Sequence, residues 1–116
     1  MKILLSLLLI HMASGQQIAI ISRIRNLYQT APLVKQDANQ LDELMVGVNA
    51  DHDSPVLICY KGAAEMIDAK YTLNPIMKFL DFKKGTDLIN NALLRDSLNL
   101  EMRFIRLSIQ SSCLLI

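Results

Sequence analysis

The sequence has few residues that break helices, few aromatic residues and almost no net charge. Glycine occurs 4 times and proline 3 times in 116 residues, and only 5% of the residues are aromatic. Since Leu, Ile, Ala and Met supply most of the 52% hydrophobic content, the composition favours helices over strands. The length is sufficient for one domain with a modest core.

The charge balance excludes two broad classes of partner. The chain has 12 basic and 11 acidic residues, and removal of residues 1–15 would take away Lys2 alone, which leaves no net charge. Nucleic-acid binding usually requires a basic field, so we expect no nucleic-acid partner. A neutral chain also has no general attraction to anionic membranes.

Residues 1–15, MKILLSLLLIHMASG, have the pattern of a signal peptide. Lys2 gives a positive start, residues 3–12 are mostly apolar, and residues 13–15 are small. We expect cleavage before Gln16 and a periplasmic or secreted protein. The apolar run is shorter than the roughly 20 residues that span a bilayer, so we expect no stable membrane span after cleavage. A buried first helix and an uncleaved anchor are the alternatives.

The remaining residues, 16–116, predict an all-α domain of antiparallel helical hairpins. Apolar residues recur at helical spacing, and the pairs Ser54-Pro55 and Asn74-Pro75 are typical helix starts, with a polar cap before a proline. Pro32 and the polar loop 49–53 separate the earlier helices. We predict five helices, at about Gln17–Thr30, Leu33–Val48, Pro55–Tyr71, Pro75–Arg95 and Leu100–Gln110.

The third predicted helix has two adjacent apolar rows, so we expect it to be central in the domain. Gly62 and the two alanines after it should let a neighbouring helix approach closely. In the fourth helix, Ile76, Phe79 and Leu80 are expected to serve the core along the first half. A bend is expected near Gly85.

The segment GTDLINNALLRDSLNLEMRF, from Gly85 to Phe104, resembles the second helix of a tetratricopeptide repeat that runs into the next repeat. Gly85, Ile89 and Ala92 match the small, large and small residues that let paired helices nest in that family. Residues 96–99 stand where the family has its turn, with Ser97 in place of proline. The resemblance implies a repeat-like hairpin with a longer connection between Gly62 and Gly85.

Three segments, YKGAAEMIDAKYTLNPIMKF, KKGTDLINNAL and EMRFIRLSIQ, are similar to an uncharacterised family of small exported bacterial helical proteins. The resemblance covers roughly residues 17–110 and implies export and a helical-repeat fold, without a known activity or catalytic residues. Members of that family are expected to continue beyond a helix such as the one that ends near Gln110. We therefore also expect that the domain 16–116 is truncated at its C-terminus.

The sequence contains no convincing catalytic, cofactor or metal motif. There is no phosphate-binding glycine loop, and the serines have no histidine placed by a motif. The adjacent residues 51–53, Asp-His-Asp, are expected to form a solvated loop, with a metal site at His52 as the alternative. Glu65 and Asp68 are expected to be solubilising, and Asp68 and Lys70 are placed at the edge of an exposed face. We expect no catalytic residue, no cofactor and no metal.

The two cysteines also fit no redox or metal spacing. Cys59 lies in an apolar helical stretch, where it is expected to be a small buried hydrophobe. A disulfide between Cys59 and Cys113 is the alternative, because an exported protein enters an oxidising compartment.

The fifth predicted helix is apolar on more than one side, whereas stacked hairpins normally end in a polar capping helix. It is therefore our candidate interaction surface, with the alternative that it is buried in the bundle. One apolar row is Leu100, Phe104 and Leu107, and the other is Met102, Ile105 and Ile109.

Three functions follow as hypotheses. The first is an exported, non-enzymatic interaction module or scaffold that binds a protein partner or a second copy. The second is a small metal-dependent enzyme that uses His52 and nearby acids. The third is a carrier that takes an apolar ligand between its helices.

Overall fold

The computed structural model describes residues 19–113, which fold into helices joined by short turns. Within this part of the chain there are five helices and no strand, so the prediction of an all-α fold is confirmed. None of these helices is long and apolar enough to cross a membrane. The helices are α1 over residues 19–30, α2 (Lys35–Met45), α3 (Pro55–Tyr71), α4 (Pro75–Arg95) and α5 (Leu100–Cys113).

Proline begins both α3 and α4, but only one of the two expected side-chain caps forms. Asn74 Oδ1 accepts hydrogen bonds from the backbone N–H groups of Ile76 at 2.9 Å and Met77 at 3.3 Å. The predicted cap by Ser54 is wrong, because its side chain makes no such bond and its backbone carbonyl accepts from Ile58 N instead. The helix still begins at Pro55, because proline at the first helical position has no N–H group to satisfy and its fixed φ suits the helix.

The second helix is shorter than predicted at both ends. The carbonyl of Thr30 accepts hydrogen bonds from the backbone N–H groups of Leu33 and Val34, so these residues belong to the turn between α1 and α2. Val34 is extended and precedes the first residue of α2. Val48 lies beyond the end of α2 yet is buried, so its apolar spacing reflects burial and not helix.

The third helix is central, as its two apolar rows predict. It packs against α2, α4 and α5, and its longest interface is with α4. The buried residues of α3 therefore point in several directions. They are Ile58, Cys59, Tyr60, Gly62, Ala63, Ala64, Met66, Ile67 and Ala69.

The closest approach of α3 and α4 is made at two glycines. A Cβ atom built on Gly62 would lie 2.6 Å from the carbonyl oxygen of Gly85, and one on Gly85 would lie 2.5 Å from the carbonyl oxygen of Gly62. Ile89 and Ala92 are buried along the same part of α4. The close contact expected at Gly62 is therefore present, and α4 is one continuous helix through Gly85.

The prediction that Ile76, Phe79 and Leu80 serve the core is wrong. All three are exposed, whereas the buried residues of α4 lie from Gly85 onward. In the described part of the chain α4 packs on α3 and α5, and this packing buries only residues from Gly85 onward. Apolar periodicity identifies an apolar face but not whether that face is covered.

The first helix is held to the bundle by polar bonds as well as by the buried Ile24. Arg25 forms a bidentate ion pair with Glu101, with N–O distances of 2.7 and 3.0 Å. Tyr60 donates a 2.6 Å hydrogen bond to the same carboxylate. This arrangement ties α1 to α3 and α5 at one point.

Candidate interaction surface

The two apolar rows predicted on α5 have opposite environments. Met102, Ile105 and Ile109 are at most 2% exposed and lie in the core. Their inclusion in the candidate surface is therefore corrected, because they pack inside the bundle and are not available to a partner.

The other row lies on the outside. Leu100 is 79% exposed, and Phe104 and Leu107 are each 66% exposed. These three residues are called the outer stripe of α5. Leu94 and Leu98, near the end of α4, are exposed to a similar extent. The domain thus presents large apolar side chains around the junction of its last two helices.

A solvent-open groove of about 640 Å³ lies where α4 and α5 diverge. Leu93 and Leu94 line it from α4, and Leu107 lines it from α5. Arg103 and Arg106 also line it, together with polar uncharged residues, and the described residues of the lining include no carboxylate. This α4–α5 groove is continuous with the outer stripe through Leu107, so one surface combines an apolar floor with positive charge.

A second cleft, of about 450 Å³, lies between α2 and α3 and is rich in acidic residues. The carboxyl groups of Asp42 and Asp68 are in hydrogen-bonding contact across this interface. Burial raises the pKa of Asp68 to about 8, and the hydrogen bond and charge of Asp42 add to the effect. Burial also raises the pKa of Asp42. A carboxyl pair of this kind holds a proton at neutral pH.

The lysines of this cleft are already bonded within the domain. Lys61 donates a 2.7 Å hydrogen bond to the carbonyl of Val48, and Lys84 forms a 3.2 Å ion pair with Glu65. Asp68 is half-buried, so its expected position at the edge of an exposed face is only partly correct. The contacts of Lys61 and Lys84 therefore stabilise the packing of the helices around this cleft.

Lys70 and Tyr71 likewise have structural contacts. The Lys70 ammonium donates to the carbonyl of Pro32, and the Tyr71 hydroxyl donates to the carbonyl of Ala31 at 2.7 Å. Both bonds secure the turn between α1 and α2. These contacts assign the two side chains to the packing of that turn.

The Arg25–Glu101–Tyr60 network has the electrostatics of a structural anchor. The bidentate bond from Arg25 holds the pKa of Glu101 below its usual range. Burial, followed by the hydrogen bond to Glu101, raises the pKa of Tyr60. The Tyr60 ring also packs edge-on against Tyr28, with centroids 5.5 Å apart. These shifts keep Glu101 ionised as the acceptor and keep the Tyr60 hydroxyl protonated as a donor.

The loop at residues 51–53 does not bring together the ligands of a metal site. Asp53 accepts a 2.5 Å hydrogen bond from the backbone N–H of Asn49, and His52 is exposed. Across residues 19–113, no group of three or more His, Cys, Asp and Glu side chains is placed to hold one metal ion. The observed bonds close the loop between α2 and α3.

Cys59 is a free and fully buried thiol, whose sulfur lies 4.0 Å from the carbonyl oxygen of Met102. Burial, with a smaller effect from the charge of Glu101, raises the pKa of this thiol to about 12. Since the thiolate is the reactive form, Cys59 is poorly reactive in the folded protein. The side chain of Cys113 and the leader 1–15 lie outside what the structure describes.

The sequence predicts the apolar row that forms the outer stripe, but it does not identify the residues that line the groove beside it. Arg103 and Arg106 are three residues apart on α5, which places them on one side of the helix. That spacing was available in the sequence, but their convergence with Leu93 and Leu94 depends on how α4 and α5 diverge.

Comparison with known proteins supplies no assignment. No protein-family model, curated protein or solved structure matches this chain. Function is therefore inferred from the outer stripe of α5 and the α4–α5 groove.

Proposed function

We propose that this protein is an exported, non-enzymatic interaction module that binds a protein partner through the outer stripe of α5 and the α4–α5 groove. The observation that carries the proposal is the exposure of Leu100, Phe104 and Leu107 beside a groove with an apolar floor. Covering one such side chain contributes roughly 1–2 kcal/mol when it is only partly exposed beforehand. Three of them together supply a large part of a moderate binding free energy.

Export and repeat-like hairpins are part of the same proposal. The leader 1–15 has the pattern of a cleavable signal, and Gly85, Ile89 and Ala92 have the residue types of a nesting hairpin. Mass spectrometry of the mature protein from a bacterial host should give the mass of a chain that begins at Gln16, with this glutamine free or cyclised. A mature chain that retains residues 1–15 in the cytoplasmic fraction would contradict the export part alone.

A binding role is favoured over the two alternatives by how the polar and apolar groups are used. His52 is exposed in a loop that is closed by its own hydrogen bonds, which gives no support to metal-dependent catalysis. The α4–α5 groove is open to solvent and contains two arginines, which is a poor environment for a purely apolar ligand. The same features suit a protein segment, which has both apolar and polar side chains.

The binding surface is tested by site-specific photo-crosslinking in cells that export the full chain. A photo-reactive amino acid in place of Phe104 should yield a discrete protein adduct. The same group in place of Leu33 is the control, because Leu33 is 82% exposed but belongs to the turn between α1 and α2.

Further substitutions distinguish specific binding at this surface from non-specific crosslinking at any exposed apolar residue. The double variant Leu100→Ser/Leu107→Ser should remove the Phe104 adduct, whereas Val46→Ser should leave it, although Val46 is 81% exposed. Equal adduct yields from positions 104 and 33, or an adduct that survives the double variant, would refute the proposed surface.

A further inference from the structure

The α4–α5 groove has a charge arrangement that specifies its occupant beyond a general apolar partner. Arg103 and Arg106 line the groove, and the lining includes no acidic residue. Neither guanidinium has an ion-pair partner among residues 19–113, where the ion pairs are Arg25–Glu101 and Lys84–Glu65. Two cations therefore lie beside an apolar floor without an acidic partner among the described side chains.

The contrast with the α2–α3 cleft is informative. There, Lys61 donates to a backbone carbonyl and Lys84 pairs with Glu65, so both lysines already have partners within the domain. In the α4–α5 groove, both arginines remain available to an incoming group. Arginine is also suited to such a role, because its planar fork binds a carboxylate through two parallel hydrogen bonds.

The apolar part of the groove indicates the secondary structure of the ligand. Leu93 and Leu94 on one helix face Leu107 on the other across a space of about 640 Å³. A groove between two helices accepts an amphipathic helix, whose apolar side chains at positions i, i+3, i+4 and i+7 enter the floor. The polar edge of such a helix then lies along the rim, which here is positive.

Building on the proposed function, we propose that the α4–α5 groove binds an acidic amphipathic helix of a partner protein. The apolar side chains of that helix occupy the leucine-lined floor, and its carboxylates pair with Arg103 and Arg106. The charge complementarity selects this occupant over a basic helix and over an uncharged one. It also predicts that the association weakens as salt concentration rises.

The probes are three synthetic peptides of about 16 residues, a length at which a helix is able to form on binding. They share one pattern of leucines on an alanine background, and the flanking positions are all Glu, all Gln or all Lys. Binding to the mature protein is measured by fluorescence anisotropy. We expect the Glu peptide to bind about tenfold more tightly than the Lys peptide, and we expect that difference to shrink at high salt.

Charge reversal in the groove provides the decisive comparison. Arg103→Glu/Arg106→Glu should make the Lys peptide the tighter ligand. Lys35→Glu/Lys83→Glu changes the net charge equally at exposed positions outside the groove and should leave the order unchanged. Leu94→Ser/Leu107→Ser should weaken the binding of all three peptides. Circular dichroism checks that each variant is folded.

Four results would overturn this inference. Equal, salt-insensitive affinities for the three peptides would remove the role of charge. A Phe104 photo-adduct without any peptide binding would show that a partner contacts the outer stripe but is not an acidic helix in the groove, which leaves the outer-stripe part of the proposed function standing. Sedimentation that reveals a dimer, lost in Arg103→Glu/Arg106→Glu, would identify a second copy as the occupant. Absence of both the adduct and peptide binding would refute the proposed function and this inference together.

Discussion

Replacing Gly62 by alanine should destabilise the protein, even though alanine is the better helix former. The added Cβ would lie 2.6 Å from the carbonyl oxygen of Gly85 and 2.8 Å from Cγ1 of Ile89. Ordinary contacts of a Cβ begin at 3.4 Å, so α3 and α4 must separate by about 0.8 Å at this point. The Gly85 oxygen belongs to the backbone of a continuous helix and is unable to rotate away.

The size of the effect follows from two opposing contributions. Overpacking of a close contact costs about 1–3 kcal/mol, and a collision with backbone belongs at the upper end of that range. Alanine recovers about 1 kcal/mol of helix propensity relative to glycine. We therefore expect a net loss of about 2 kcal/mol in the free energy of unfolding, because the α3–α4 interface is the longest in the domain.

Urea denaturation followed by circular dichroism measures this loss. The Gly62→Ala midpoint should fall with an unchanged slope, which indicates a change in stability rather than in the unfolded state. Gly47→Ala is the matched control, since a Cβ there meets nothing within 4 Å and the backbone φ of Gly47 is not positive. That variant should be neutral or more stable by about 0.5 kcal/mol.

A double variant tests whether both substitutions act through the same close contact between α3 and α4. Gly62 and Gly85 approach each other across the same contact, so one separation of the helices accommodates both added Cβ atoms. Gly62→Ala/Gly85→Ala should therefore cost less than the sum of the single variants. Full additivity, or a Gly62→Ala protein as stable as the wild type, would refute the claim that the two backbones touch here.

Three further predictions concern the ionisable groups. Because the pKa of Asp68 is raised to about 8, the folded state holds its proton longer than the unfolded state, and stability should fall as pH rises from about 4 to about 8. Asp68→Asn should reduce that loss of stability by on the order of 1 kcal/mol, after allowance for the partial exposure of Asp68. Asp87→Asn, at an exposed position of α4, is the control and should leave the pH dependence unchanged. Urea titrations at several pH values measure both effects. Glu101→Gln should lower the free energy of unfolding by about 1 kcal/mol and increase amide hydrogen exchange in α1. Unchanged exchange would show that the Arg25 ion pair does not hold that helix. In a Cys113→Ser background, the Cys59 thiol should react with a disulfide reagent only after urea unfolds the protein, and rapid labelling of the native state would contradict its burial.

Local signals in the sequence were sufficient to predict the helices. Proline at the start of α3 and α4 fixes those boundaries, and the small residues at Gly62 and Gly85 predicted the close approach that the structure contains. The cap by Ser54 does not form, although the same pattern of polar residue and proline gives a cap at Asn74, so the pattern predicts where the helix starts but not whether the side chain caps it. Such details depend on which of several adequate arrangements a loop adopts.

The distant pairings were not predictable in this way. The carboxyl groups of Asp42 and Asp68 meet because α2 packs on α3 in one particular register. The Arg25 contact with Glu101 joins residues that are 76 positions apart. A single sequence specifies the chemistry of each side chain but not which distant helix face will lie opposite it.

The fifth helix shows why the sequence predicted two apolar rows but not which of them is exposed. Phe104 and Met102 are two positions apart, which is about 200° around a helix, so the two apolar rows lie on nearly opposite sides. Periodicity detects both rows, but one helix buries only one of them against α3. The buried row already has its partner within the domain. The outer stripe retains the same hydrophobic driving force without a covering element among the described residues, and that asymmetry is the physical basis for proposing a partner on this side of α5.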